Sequence, residues 1–223
     1  LQWLITAYLV SLAGFIPASG WVADRFGDKR TFLFALAVYT GANLWAGTAG
    51  SINELIAARV TQGIGGGLLT PVGTAMLFRA FPPNERARAS AMLAIATTLA
   101  PMLGPVLGGW LADNISWRWV FFLKVPIGVI GLVFSALVLK PGERTATGRF
   151  DVLGFLTGGG GLATLLVGLE RGAREGWSDA TTLVLVGIGV ALGAVFVVTE
   201  SRVAAPMLDL RLLKDRMFAL GNV

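Results

Sequence analysis

Seven stretches of this chain are apolar for about twenty residues each, and that repetition leaves few folds open to it. They lie near 2–20, 32–50, 54–78, 89–111, 117–139, 152–169 and 180–199, and an eighth begins at Met217. A helix rises about 1.5 Å per residue, so about 20 apolar residues cross the hydrocarbon of a bilayer. Lipid offers the backbone no hydrogen bonds, so each run must satisfy its own N–H and C=O groups as a helix. The expected fold class is therefore all-α: a polytopic transmembrane helix bundle. Composition agrees, with 55% hydrophobic and 14% charged residues, where soluble domains carry about 25% charged.

The residue inventory excludes several functions. There is no Cys and no His. Thiolate metal sites, a Cys nucleophile, and the commonest general base and metal ligand are thus absent. No Asp or Glu lies deep within a run, so a buried carboxylate pair is absent too. The chain reads as no enzyme, with no cofactor and no metal site.

The placement of the cations explains the net charge of +5. Arg25, Lys29 and Arg30 follow run one; Arg79, Arg86 and Arg88 follow run three; Lys140, Arg144 and Arg149 follow run five; Arg202, Arg211, Lys214 and Arg216 follow run seven. These are alternate connections, hence one side of the membrane. The other side holds only Arg171 and Arg174 clear of a run, with Arg118 at an edge. By the positive-inside rule the basic side is cytoplasmic. The basic excess is then topological, pointing to membrane lipid as a partner and away from nucleic acid. The first run opens at Leu1 with neither Met nor a basic flank, so the chain reads as an internal stretch of a longer membrane protein. Trp3, Trp110, Trp117, Trp119 and Trp177 fall at expected outer ends and Trp21 at an inner end, as interfacial tryptophans do.

Small residues are concentrated inside the runs. Gly63, Gly65, Gly66 and Gly67 fall in run three, Gly104, Gly108 and Gly109 in run four, and Gly158 to Gly161 in run six. In lipid such positions let helix backbones approach closely. The pentapeptides Gly20-Trp21-Val22-Ala23-Asp24 and Gly109-Trp110-Leu111-Ala112-Asp113 differ by one aliphatic swap. Three runs separate them, so they end helices of opposite direction, the pattern of an inverted repeat.

Three segments carry polar chemistry at helix ends or within runs. In Gly20-Trp21-Val22-Ala23-Asp24-Arg25-Phe26-Gly27-Asp28-Lys29-Arg30, Gly20 permits close packing, Gly27 a sharp turn, and Asp24 can latch a neighbouring helix end or a cation. In run three, Arg59 and Gln62 lie one turn apart on one face. An Arg inside a span costs about 2.5–3.5 kcal/mol, so Arg59 should face protein or a water-filled cavity. In run four, Pro101 and Pro105 remove backbone donors and can kink the helix, while Gly104 and Gly108 share a face for a close helix contact.

These segments resemble signatures of the major facilitator superfamily. The first is similar to its helix-2/helix-3 loop, with Asp28 where a basic residue is usual. Arg59-Val60-Thr61-Gln62-Gly63 resembles its helix-4 signature. Gly104-Pro105-Val106-Leu107-Gly108-Gly109 resembles the helix-5 motif of its antiporters, with Ala91 and Ala100 where further glycines are usual. Trp117 to Pro126 resembles the start of helix 6 in the fourteen-helix drug:proton antiporter branch, with Lys124 where Asn is usual. Phe150 to Gly154, Gly176-Trp177 and the stretch 206–218 resemble the borders of that branch's inserted helices and the entry to its second half.

The resemblance implies helices 2 to 8 and the start of helix 9. Residues 1–139 would be the N-terminal transporter half without its first helix, 140–216 two inserted helices and a cytoplasmic loop, and 217–223 the start of the C-terminal half. It implies proton-coupled efflux of lipophilic or cationic small molecules across the cell membrane by alternating access, with substrate and protons as partners. Gly20, Asp24, Arg25, Gly27, Lys29 and Arg30 would form a gating loop. Arg59 and Gln62 would serve proton coupling, with Glu54 a substitute proton site. Gly104, Pro105, Gly108 and Gly109 would form the antiporter motif. Asp113, Asp151, Glu170 and Glu200 read as interfacial or solvated caps. A same-fold transporter of a polar metabolite, or a truncated membrane protein that transports nothing, remains an alternative.

Overall fold

The computed structural model describes residues 2–142 and 150–203. Arg144, Arg149, Arg211, Lys214, Arg216, the stretch 206–218 and the helix expected from Met217 lie outside the described residues. So does the entire 217–223 segment.

Among the described residues the regular structure is all helix. The elements are α1 (Gln2–Phe15), α2 (Ala18–Phe26), α3 (Asp28–Thr48), α4 (Ile52–Ala80), α5 (Arg86–Asn114), α6 (Trp119–Phe122), α7 (Lys124–Val138), α8 (Val152–Glu175) and α9 (Ala180–Glu200). A helix occupies each of the seven apolar runs. The first run differs from expectation, because α1 and α2 meet at a 56° bend. Pro17 stands at that break; having no backbone N–H, it cannot continue the ladder of α1. Pro101 and Pro105, by contrast, lie inside an unbroken α5.

Helix starts follow local chemistry. The Ser51 hydroxyl caps α4 by accepting from the Glu54 N–H at 3.2 Å. Asp151 caps α8 through the Gly154 N–H at 2.8 Å, and Asp179 caps α9 through the Thr182 N–H at 2.9 Å. Side-chain acceptors at these positions satisfy donors that the first turn leaves open.

The centre is α4, packed between α1 and α3. Glycine makes this possible. A Cβ on Gly63 would stand 2.6 Å from the Tyr8 carbonyl of α1, and one on Gly65 would stand 2.7 Å from the Tyr39 nitrogen of α3. Further out, α7 lies on α3, and the α8–α9 hairpin lies on α1. An aromatic chain joins that hairpin to the first run, with Phe15–Phe155, Phe155–Phe150 and Phe150–Trp21 centroids 5.5, 5.6 and 4.8 Å apart.

The outer faces are apolar. Leu137, Ile130 and Val106 are 81%, 68% and 68% exposed, an arrangement suited to lipid and costly in water. By length and apolarity four helical spans qualify as membrane-crossing, or five with the bent α1–α2 pair. The helices α3 and α4 are long enough, at 21 and 29 residues, but do not qualify by apolarity. They pack closely on each other and carry buried polar side chains on the faces that meet. Glu200 departs from its reading as a cap: it is 3% exposed. It lies beside Asp151, and both carboxylates approach the place a Gly154 Cβ would take.

Candidate functional site

The polar centre of the bundle is a chain of side chains crossing from α4 to α3. Arg59 lies two turns into α4, about 10 Å from its start at the helical rise. Its Nη1 donates to Gln62 Oε1 at 3.0 Å. Gln62 Nε2 donates to Asn43 Oδ1 at 3.1 Å, and Asn43 Nδ2 donates to the Tyr39 carbonyl at 2.8 Å. Gln62 and Asn43 are fully buried. Arg59 and Gln62 are three residues apart, so the helix itself puts them on one face. The close approach at Gly65, on the next turn, brings Asn43 within reach.

The guanidinium is otherwise held by π faces. Arg59 Cζ lies 4.8 Å from the Phe121 ring centroid and 5.9 Å from that of Tyr8. Apolar side chains, among them Leu4, Leu55, Ala58 and Phe121, form a buried cluster at this end of the bundle. Arg59 Nε is buried without a hydrogen-bond partner. No carboxylate pairs with Arg59 among the described residues. A second cation, Lys124 at the start of α7, is half-buried within electrostatic range of Arg59, and it too has no acidic partner among the described residues. Two positive charges in a low-dielectric site without an anion are costly. The arrangement is suited to receiving a negative group.

Sequence reasoning found Arg59 and Gln62 but not Asn43, Tyr8 or Phe121. Asn43 carried a signal: it is a lone amide in the apolar run 32–50. Glu54 stands apart from the network. It is exposed in the first turn of α4, and its Oε2 accepts the Gly50 N–H at 2.8 Å. Together with Ser51 this is a variant of the capping box, which gives Glu54 a capping role there.

The loop between α2 and α3 turns on Gly27, with φ 90° and ψ 142°. Only glycine adopts this region without strain. Asp28 pairs with Arg79 at the end of α4, so the position that departs from the family pattern ties α3 to α4. Lys29 Nζ donates to the Ala136 and Leu139 carbonyls at 2.7 and 2.5 Å, tying α3 to the end of α7. Those carbonyls belong to the last turn of a helix, where a cation is favoured. Gly20 faces open space. Asp24, Arg25 and Arg30 make no hydrogen bond or ion pair among the described residues.

Helix α5 is different again. Ala89 is its one buried residue. A Cβ at Gly104, Gly108 or Gly109 would meet nothing within 4 Å, so the close helix contact expected there is not made among the described residues. Pro105 is likewise exposed.

The sequence model of the Major Facilitator Superfamily matches residues 1–218. The chain belongs to that superfamily. It is a multi-pass membrane protein. Among its relatives is the multidrug resistance protein B homolog of Mycobacterium tuberculosis, 40% identical over 223 residues, 99% of this chain and 41% of the relative. Another is the putative multidrug resistance protein MdtD of Escherichia coli, 34% identical over 218 residues, 98% of this chain and 46% of the relative. The chain thus spans less than half the length of these relatives.

Proposed function

We propose that this chain is part of a fourteen-helix drug:proton antiporter that exports lipophilic and cationic small molecules across the cell membrane, with its basic end at the cytoplasm. The observation that carries the reading is the buried Arg59–Gln62–Asn43 chain with an open guanidinium edge. A carboxylate brought against Arg59 by the rest of the protein would be held ionised by the charge, and would lose that hold when the bundle rearranged. Proton uptake is then coupled to the state of the bundle, which is the requirement for exchange by alternating access. The names of the relatives, which speak of multidrug resistance, support the direction and substrate class.

In this reading Asp28–Arg79 and the Lys29 contacts hold the α3, α4 and α7 ends as one block. Asp24, Arg25 and Arg30, which make no hydrogen bond or ion pair among the described residues, are the part free to latch the other half. Gly104, Pro105, Gly108 and Gly109 present a smooth face to it.

The test is dye efflux from cells expressing the full-length protein, with and without a protonophore. Efflux should collapse when the proton gradient is abolished, and Arg59→Gln should abolish it while leaving the protein in the membrane. Efflux that ignores the gradient would sink the proposal.

A further inference from the structure

A cavity of about 930 Å³ opens at the Gly27 end of the bundle, between the start of α3 and the ends of α4 and α7. None of its residues belongs to the Arg59 network. Its inner wall is apolar, built from Phe32, Met76, Leu77 and Val138. Its rim is charged, with Arg79, Lys140 and Asp28. Phe32 lies one turn further into α3 than Asp28, Met76 about one turn further into α4 than Arg79, and Val138 ends α7 two residues before Lys140, so the apolar wall is deeper than the charged rim.

The rim has an excess cation. Asp28 pairs with Arg79, and Lys140 is exposed with no acidic partner among the described residues. Among the described lining residues, two cations and one carboxylate leave one net positive charge. Arg79 also keeps free donors, because its guanidinium has five N–H groups. Lys29 is occupied with the last carbonyls of α7, which fixes the width of the opening. Beside the cavity, Phe134 and Leu137 are 63% and 81% exposed, so the opening is continuous with a hydrocarbon-facing surface.

We infer that this cavity holds one anionic phospholipid, its phosphodiester between Arg79 and Lys140 and an acyl chain along Phe32, Met76 and Val138. One negative charge matches the net charge of the rim. A choline headgroup brings a further cation to a site where the one carboxylate among the described lining residues is already paired, so zwitterionic lipid is disfavoured. A soluble anion would leave the apolar wall unfilled. The inference does not rest on transport and is read without it.

The test is native mass spectrometry of the purified full-length protein titrated with dioctanoyl-phosphatidylglycerol or dioctanoyl-phosphatidylcholine. Phosphatidylglycerol should bind at least about fivefold more tightly. Lys140→Gln should weaken phosphatidylglycerol about fivefold and leave phosphatidylcholine unchanged. Asp28→Asn, which releases Arg79, should strengthen it, and Met76→Trp, which fills the apolar wall, should weaken both lipids. Arg202→Gln, a cation at the same end outside the cavity, should change neither. Equal affinity for the two lipids, or a Lys140→Gln protein that binds phosphatidylglycerol as the parent does, would overturn the assignment.

Discussion

Gly65→Ala should loosen the centre of the bundle, by an amount that follows from its neighbours. A Cβ there would stand 2.7 Å from the Tyr39 nitrogen and 2.9 Å from the Ala35 oxygen. Both are backbone atoms and cannot rotate aside. Ordinary van der Waals contact starts at 3.4 Å, so α3 and α4 must separate by about 0.7 Å. Overpacking of this kind costs about 1–3 kcal/mol. The same change on an exposed helix surface gains about 0.5–1 kcal/mol from lower backbone entropy. Gly41→Ala on α3 isolates that gain, since Gly41 meets nothing within 4 Å. The difference between the two variants therefore measures the clash alone. Both are unfolded as full-length protein in mixed micelles by added denaturing detergent, followed by tryptophan fluorescence. The expected gap is about 1–3 kcal/mol, with Gly65→Ala the weaker. The same separation would stretch the Gln62–Asn43 bond, now 3.1 Å, beyond hydrogen-bonding range, so Gly65→Ala should also impair efflux. If the two variants prove equally stable, the α3–α4 backbones are not in contact at Gly65 and the reasoning fails.

Three other outcomes are expected. Asn43→Leu leaves the fully buried Gln62 amide without its acceptor, which costs about 1–3 kcal/mol; adding Gln62→Leu should restore part of that loss, and a double-mutant cycle showing no coupling would contradict the network. Gly27→Ala places a side chain at φ 90° and should lower stability by about 1–3 kcal/mol in a thermal melt. The Asp179 carboxyl is held below its ordinary value of 3.8, first by the Thr182 N–H and then by Arg171. Because the folded value is the lower one, this contribution to stability is present above pH 3.8 and is lost as pH falls below it. A carboxyl-carbon NMR titration should find Asp179 below that value, and Arg171→Gln should move it upward.

Much of the architecture could be read from the sequence because lipid imposes length and apolarity on every span. Gly27 was legible for a similar reason: a sharp turn between two helices needs a residue free to take positive φ. The bend at Pro17 was missed because the run 2–20 is apolar throughout, and hydropathy does not register a missing N–H. The capping contact of Glu54 was hidden because spacing along one helix does not distinguish a side chain that folds back on its own first turn from one that faces inward. The burial of Glu200 beside Asp151 was hidden because it depends on how α8 and α9 pair, a relation across the chain. Asn43 needed the same kind of information, since its partner is nineteen residues away on another helix. For Gly20, Asp24, Arg25 and the α5 glycines, the gating and antiporter roles come from the motif alone, because the glycines face open space and Asp24 and Arg25 make no hydrogen bond or ion pair among the described residues.

The two closely packed helices that fall short in apolarity, α3 and α4, are the ones that hold Asn43, Arg59 and Gln62. That is a consequence of the physics. A helix surrounded by lipid gains nothing from a polar side chain and pays to hide it. A helix surrounded by other helices can hold one if each polar atom finds a partner. Along the line from the Tyr39 carbonyl to Arg59, the side chains of Asn43, Gln62 and Arg59 each make at least one hydrogen bond, and the one buried side-chain nitrogen left without a partner among the described residues is Arg59 Nε. A chain that ends in one buried, open, positively charged edge is incomplete in a defined way, and what completes it must be an acceptor. If that acceptor is a titratable carboxylate, substituting it by an amide in the full-length protein should keep the protein folded and abolish its dependence on the proton gradient. If the amide variant still couples efflux to that gradient, the acceptor is not the proton carrier and Arg59 serves only to hold α4 in place.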